Sequence, residues 1–348
     1  MADAAAPSYL EVDSFLETMA GAQALATAFE LGLIDALAKG PARPADLAHQ
    51  LGVEDSGLDL LLGLLTGSGV VAVSADGTAR LSERFAGALV YRDLLEAKLD
   101  MLRVAVPDLL LGLTDLVKQE RRFMAHSRMF QLFDYTRAST PGAENAEWTR
   151  RWVRYTTALT KYEAQACLER HDFSRYSQLL DVGGNSGEFA AQICARHPQL
   201  RATVLDLPVV CQVGEAHLRG RAEAARIRFV AGDARADPWP EAIDVVTFKS
   251  MLHDWPDQEA LLFLTRARAA LRPGGTLLIF ERTRMPLAEG PLSYAATPML
   301  LFARSFRDEA WYRSRLGELE FTAVRTQHVT LDTPFMIVEA AAPADRRD

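Results

Sequence analysis

Cysteine is scarce in this chain and odd in number: Cys167, Cys194 and Cys211. None of the three stands at metal-type spacing such as C-x-x-C. Each lies in an apolar stretch, which leads us to expect buried free thiols and a reducing cytoplasm. Histidines are equally dispersed. His49, His126, His171, His197, His217, His253 and His328 show no metal-ligand spacing, and no metal is expected. Long apolar runs are missing too. The one ending "LDLLLGLL" is too short to cross a bilayer, and no basic segment followed by an apolar core opens the chain. Neither a membrane anchor nor a signal peptide is therefore expected. Basic charge is also in deficit. A formal net charge of −8 argues against a general binder of nucleic acid or anionic membrane.

What the chain does have is a large supply of core-forming residues. Its 348 residues are 49% hydrophobic, enough for about two domains of ~150 residues each. Only the ends, "MADAAAPS" and "AAPADRRD", read as loose. "SFLETMAGAQALATAFELGLIDALAKG" carries apolar residues at helical spacing and closes on Gly40. "RPADLAHQLGV" and "GLDLLLGLLTGSG" follow as two further helices, and Asp76-Gly77 in "VVAVSADGTARLS" signals a hairpin. Three helices and a hairpin form the order of a winged helix. Yet residues 41 to 90 set Arg43, Arg80 and Arg84 against six acids, and "SGLDLLLGLLTGSG", in the place of a recognition helix, has no Lys or Arg. Such a helix has nothing to offer phosphates or base edges, so it is expected to pack against another chain instead.

Residues 94 to 170 return to helix. From about residue 178 the character changes: "QLLDV", "ATVLD", "IRFVAG", "DVVTFK" and "TLLIFE" alternate with helical stretches, which implies βαβ crossovers and a parallel sheet. "FTAVRTQHV" and "FMIVEAA" read as an antiparallel hairpin added at the edge.

"LLDVGGNSGEF" is the most informative stretch. A buried strand runs to Asp181, then Gly183, Gly184 and Gly187 turn into a helix beginning near Glu188. Asn185 stands where many such loops carry another glycine, and asparagine is the next most tolerant residue for left-handed backbone. The dinucleotide pattern G-x-G-x-x-G fails: counted from Gly183, its third and sixth positions are Asn185 and Glu188. Asp206, at the end of "ATVLD", is placed to bind ribose hydroxyls but would serve either cofactor. Charge discriminates. Pyrophosphate is repelled by carboxylates, whereas S-adenosylmethionine carries a sulfonium and an ammonium. Asp181 and Glu188 beside the loop, with Asp206 and Asp233 at later strand ends, favour S-adenosylmethionine.

With "LDLP", "AGDA", "LHDW" and "LRPGGTLLIFE" following in order, the chain resembles the class I S-adenosylmethionine-dependent small-molecule O-methyltransferases of the plant caffeate and bacterial polyketide-tailoring type. The resemblance covers nearly the whole chain. It implies a Rossmann-like α/β domain with a mostly parallel sheet, preceded by an α-helical, winged-helix-like domain that makes a homodimer. The expected layout is 1–95 for dimerisation, 96–170 as a helical linker and substrate roof, and 171–348 for the cofactor domain.

The resemblance also implies roles. Asp181, Gly183, Gly184 and Gly187 would form the cofactor loop, Asp206 with Leu207 would hold the ribose, Gly232, Asp233 and Ala234 would flank adenine, and Lys249 would lie along the cofactor. His253 would be the general base, Asp254 would sit beside the acceptor and Glu281 would orient the imidazole. One departure stands out. Many relatives carry a second acid in a "GG-x-E-R-T"-like stretch, whereas "MLLFARSFRDEAW" puts Ser305 or Phe306 near that place, with Asp308 and Glu309 just beyond.

Trp148, Trp152, Tyr155, Leu159 and Tyr162 recur at spacings of four and three and so share one helix face. Upstream, "RFMAHSRMFQLFDY" adds more aromatic residues. Taken alone this is an ordinary helix core. In the resembled family it roofs the acceptor, so Phe133, Trp152, Tyr155 and Leu159, with Met299 and Phe302 opposite, are expected to line a pocket for a flat aromatic molecule. Arg150, Arg151, Arg154, Arg282 and Arg284 are read as solvated faces. The expected reaction is methyl transfer to an aromatic hydroxyl in specialised metabolism, with carbon methylation as the alternative. A catalytically dead relative that keeps the cofactor also stays open.

Overall fold

The computed structural model describes residues 8–344. Residues 1–7 and 345–348, most of the two loose ends, lie outside the described residues. Two compact units make up the chain: residues up to Leu109 with Leu287–Pro298, and Leu110–Pro286 with Met299 onward. The division, after Leu109, falls inside the helix Arg92–Lys118, the helix that also holds the expected boundary at residue 95. The segment Leu287–Pro298, read as part of the cofactor domain, is grouped with the first unit: Tyr294 N–H donates to Glu17 O and Gln23 Nε2 donates to the Tyr294 hydroxyl.

In the first unit the long helical stretch expected up to Gly40 is broken. A 3-10 helix spans Tyr9–Phe15, and helices span Met19–Glu30 and Leu33–Ala38. Gly32 separates the last two with φ +78°, a left-handed conformation that ends a helix at little cost in glycine. Pro44–Leu51 starts on its proline and stops at left-handed Gly52. Asp55–Gly67 buries Leu58, Leu61, Leu62 and Leu65 but leaves Leu60 67% exposed. The hairpin forms as expected between β1 (Val71–Val73) and β2 (Ala79–Leu81). Asp76 Oδ1 closes the turn by accepting from Thr78 N–H and the Ser74 hydroxyl.

The second unit holds a seven-stranded sheet of β3 (Gln178–Val182), β4 (Arg201–Asp206), β5 (Ile227–Ala231), β6 (Ile243–Lys249), β7 (Leu271–Arg282), β8 (Thr322–Thr330) and β9 (Pro334–Ala341). Their order is β5-β4-β3-β6-β7-β9-β8. The first five are parallel; β9 runs antiparallel to both neighbours, so the expected edge hairpin is inserted by its second strand. Period-2 alternation divides β7 between two cores. Leu277 and Ile279 join Phe248, Phe263 and Tyr312 on one face, while Leu278 and Phe280 join Phe173, Phe189 and Phe335 on the other. Cys167, Cys194 and Cys211 are buried free thiols, as expected. Strand order reverses between β3 and β6, and in open α/β sheets ligands bind beyond the strand ends at that reversal. Among the described residues no helix is long and apolar enough to cross a membrane.

Candidate active site

The residues after β3 form a loop that has no room for extra side chains. Gly183 and Asn185 have φ of +64° and 57°, so asparagine occupies a left-handed position as expected. A Cβ on Gly183 would meet Met251 Cγ at 2.5 Å, and one on Gly184 would meet Asp181 Oδ2 at 2.6 Å. Gly187 caps the helix Glu188–Arg196 with φ 74°. Asp206, leaving β4, ties this loop down: Oδ2 accepts from Asn185 N–H and Oδ1 from Leu207 N–H, both at 2.7 Å. Each oxygen keeps a further lone pair for a ligand. Asp181 is fully buried. Its Oδ1 accepts from the Thr247 hydroxyl at 2.7 Å, and its Oδ2 has no partner. Burial pushes the Asp181 carboxyl up to about 7, against the Thr247 hydrogen bond, and Asp206 up to about 6.

The other acids are committed elsewhere. Glu188 pairs with His217 at 2.7 Å and Arg221 at 2.6 Å. Burial would raise its pKa, but His217, Gln192 and Arg221 hold it below the usual range. Its charge is thus already neutralised, which weakens its part in the argument for a cationic ligand. Asp233, past β5, is held low by its hydrogen bond to Arg235, an ion pair of 2.6 Å. Gly232 N–H donates to Asp206 O, which joins the exits of β4 and β5, and Ala234 O accepts from Trp239 Nε1.

Lys249, the last residue of β6, donates to Thr160 Oγ1 at 3.0 Å and pairs with Glu163, whose other oxygen takes Arg282 at 2.5 Å. Burial lowers the Lys249 pKa even against the attraction of Glu163. Here one sequence reading is corrected. Arg150, Arg151, Arg154 and Arg284 are exposed, but Arg282 is only 4% exposed because Glu163 compensates its charge in the interior.

Beyond Lys249 the chain turns sharply through Ser250 at φ 50°. The turn presents two successive N–H groups, of Met251 and Leu252, to Glu281 Oε1 at 2.5 and 3.0 Å. Glu281 Oε2 meets His253 Nδ1 at 2.7 Å. One fully buried carboxylate at the end of β7 therefore fixes both the turn and the ring. Asp254 Oδ1 lies 3.4 Å from His253 Nε2, and its Oδ2 accepts from the Tyr135 hydroxyl at 2.8 Å. Burial alone would lower the His253 pKa; Glu281 and Asp254 outweigh it and the net shift is upward. Burial raises Asp254 as well.

The departure seen in the sequence shows at this histidine: the stretch that carries a second acid in many relatives brings none to it. Phe306 stands there, edge-on to the imidazole at 5.2 Å. Asp308 caps the following helix through Trp311 N–H, and Glu309 bonds to Arg313 and His328. An aromatic group adjoins the turn. Phe133 packs against Trp152 at 5.7 Å and Phe302 at 6.0 Å, and Tyr135 lies 5.7 Å from Trp152 and 5.8 Å from Trp255. Trp152, Tyr155 and Leu159 are buried on the shared helix face; Met299 is half-buried one turn before Phe302. Tyr155 also lies within electrostatic reach of Arg282. Sequence reasoning did not single out Thr247, Glu163, Tyr135 or Arg307. Only Tyr135 carried a signal, as the last aromatic of "RFMAHSRMFQLFDY".

Comparison with known proteins shows the family. Residues 111–320 match the O-methyltransferase domain family, and residues 14–90 match the O-methyltransferase dimerisation domain. Among curated relatives, the N,N-dimethyltransferase OxyT of Streptomyces rimosus is 28% identical over 75% of this chain and 74% of its own length. The acetylserotonin O-methyltransferase of Mus musculus is 30% identical over 87% of this chain and 81% of its own. The crystal structure of the S-adenosylmethionine-dependent methyltransferase SibL superposes with a TM-score of 0.66 at 27% identity, covering 92% of this chain and 96% of that one.

Proposed function

The chain belongs to the S-adenosylmethionine-dependent O-methyltransferase family, and from that premise we propose that it methylates a hydroxyl of a flat aromatic small molecule, in specialised metabolism, with His253 as general base. The observation that carries this reading is the His253–Glu281 pair, 2.7 Å apart, whose neighbour Asp254 is bonded to Tyr135 of the aromatic group with Trp152 and Phe133.

The loop after β3 fits the cofactor. Asp206 has spare lone pairs for ribose hydroxyls, and Asp181 adds an unpartnered buried oxygen that a cationic ligand would satisfy. Gly183, Gly184 and Gly187 would contact it through backbone, Gly232, Asp233 and Ala234 would flank its base, and Lys249 would lie along it. When bound, the cofactor supplies a methyl group on an electrophilic sulfonium.

The protein's own work is to place the acceptor and move one proton. A phenol has a pKa of ~10 and is a weak nucleophile near neutrality. With Nδ1–H donated to Glu281, His253 Nε2 carries the lone pair that takes the phenolic proton, and the Glu281 and Asp254 carboxylates stabilise the imidazolium that forms. The aromatic side chains hold the ring and keep water away. Asp254 would take part beside the hydroxyl. Carbon methylation remains the second reading, favoured by Phe306 in place of a second acid: the same proton transfer would activate a ring carbon. A panel of hydroxylated polycyclic aromatics beside their methyl ethers tests the acceptor group. Conversion of the free hydroxyls to methyl ethers, with the preformed ethers inert, is expected; a product that keeps its hydroxyl and gains a ring-bound methyl would overturn the assignment to oxygen.

Cofactor affinity should depend on pH through Asp181 and Asp206. Their raised pKa values of about 7 and about 6 mean that both hold protons in acid and must ionise, Asp206 to accept from the ribose hydroxyls and Asp181 to face the ammonium that the cofactor and S-adenosylhomocysteine share. Titration calorimetry with S-adenosylhomocysteine should therefore show affinity rising from about pH 5.5 to about pH 8, with proton release. Asp206→Asn should weaken binding by about 10–100-fold through the lost charge-assisted bonds. A pH-independent affinity would contradict these roles.

A homodimer is supported by the matched dimerisation domain and by exposed Leu60 on the helix Asp55–Gly67. Leu60→Asp should weaken dimerisation by about two orders of magnitude, since a two-fold interface loses each leucine twice and one is worth about 1.5 kcal/mol or more. Sedimentation at matched concentrations would read it; an unchanged mass would remove that helix from the interface.

A further inference from the structure

Leu252, the residue before His253, is held at both ends of its backbone. Its N–H donates to Glu281 Oε1 at 3.0 Å, and its carbonyl accepts from Arg307 at 2.7 Å. A second nitrogen of the same guanidinium donates to Trp255 O at 2.7 Å, and Nε donates to Asp257 Oδ1 at 3.0 Å. The carbonyls on either side of His253 and Asp254 thus end on one planar cation. That cation is 8% exposed and lies 4.5 Å from the ring centre of Trp311, whose own indole N–H reaches Asp257. Phe306, its chain neighbour, packs against the imidazole itself.

We infer that Arg307 is a positioning residue for His253, gripping the carbonyl side of the turn while Glu281 grips the amide side. The inference rests on the reading of His253 as the base. It assigns to the stretch that lacks a second acid a different service: where an acid would steady the ring by charge, Phe306 and Arg307 steady it by packing and by the backbone. A guanidinium suits the task because its rigid fork can span two carbonyls and a carboxylate at once; an ammonium on a flexible stem cannot.

The test uses the full-length protein, labelled with nitrogen-15 in its histidine rings and saturated with S-adenosylhomocysteine. His253 is identified by the signal lost in His253→Gln. In the parent protein it should titrate above the ordinary histidine value. In Arg307→Ala the ring should lose its register with Glu281 and titrate about one pH unit lower. On any acceptor the parent turns over, kcat should fall about 100-fold while S-adenosylhomocysteine affinity stays within about twofold. Arg307→Lys should be intermediate in both, and it carries the test if the alanine variant does not fold. An unchanged His253 titration in the lysine or alanine variant overturns the inference, as does a fall in kcat matched by an equal loss of cofactor affinity. Because the titration needs no acceptor, failure of the methyl-transfer reading would be seen separately, as turnover that survives His253→Gln.

Discussion

His253→Gln is expected to lower kcat by about 10²–10⁴-fold and to leave S-adenosylhomocysteine binding nearly unchanged. The ring is held at Nδ1 by a buried carboxylate 2.7 Å away, so Nε2 is the only basic atom it can offer. Glutamine keeps some bulk and polarity but cannot accept a phenolic proton. The remaining rate would come from placing acceptor and donor together, a large contribution in its own right. The pH profile carries the same information. The pKa of His253 is raised, and the base must be neutral to act, so the rate should rise through a value above 6.5 and level off. In His253→Gln that acid limb should disappear. The opposite sign holds for stability. Because the folded pKa is raised, the His253–Glu281 attraction is fully present below the ordinary histidine value and is lost as pH rises through the folded one.

Glu281 should be the second most damaging position, for two separable reasons. Its Oε1 accepts from Met251 and Leu252 N–H, and its Oε2 pairs with His253. Glu281→Ala removes the acceptor of all three bonds from a site with no exposure. Two buried amides would be unpaired at about 1–3 kcal/mol each, so a loss of roughly 3–5 kcal/mol in folding stability is expected. Glu281→Gln separates the roles. Its carbonyl can still accept from the two amides, so most stability should return, while the negative charge facing the imidazole is gone. The prediction is a near-parental melting temperature, a kcat lower by about 10²–10³-fold and an acid limb moved to lower pH. If Gln and Ala variants were equally inactive and equally unstable, Glu281 would be a structural pin and nothing more.

Much of this arrangement was legible in the sequence because it is local. The strands β3 to β6 are short apolar runs bounded by turn residues, and their ends fell where the sequence put them. Asp206 could be placed because a residue at a strand's carboxyl end stays at the sheet's ligand-binding edge whatever the helices do. His253 and Glu281 could be paired because β6 and β7 are neighbours in both chain and sheet. What escaped depends on partners far apart in the chain. Arg282 looked like a solvated arginine; its burial requires Glu163, 119 residues upstream, and nothing in either stretch announces the pair. Tyr135 meets Asp254 across a similar gap of 119 residues. Arg307 is invisible for another reason. It binds backbone carbonyls, which every residue has, so no pattern of side chains marks its target. Gly32 shows the same limit on a smaller scale: a helical pattern of apolar residues runs straight through it, and only the backbone angle reveals the break.

The most direct test of the account is to supply S-adenosylmethionine labelled with carbon-13 in its methyl group, with a panel of phenols, catechols and hydroxylated polycyclic aromatics. The product is then read by carbon NMR, for the parent protein and for His253→Gln. A labelled methyl carbon bonded to oxygen is expected in the parent, with at least about 100-fold less of it in the variant. A methyl carbon bonded to the ring, or an oxygen-bound one formed equally well without His253, would contradict the account.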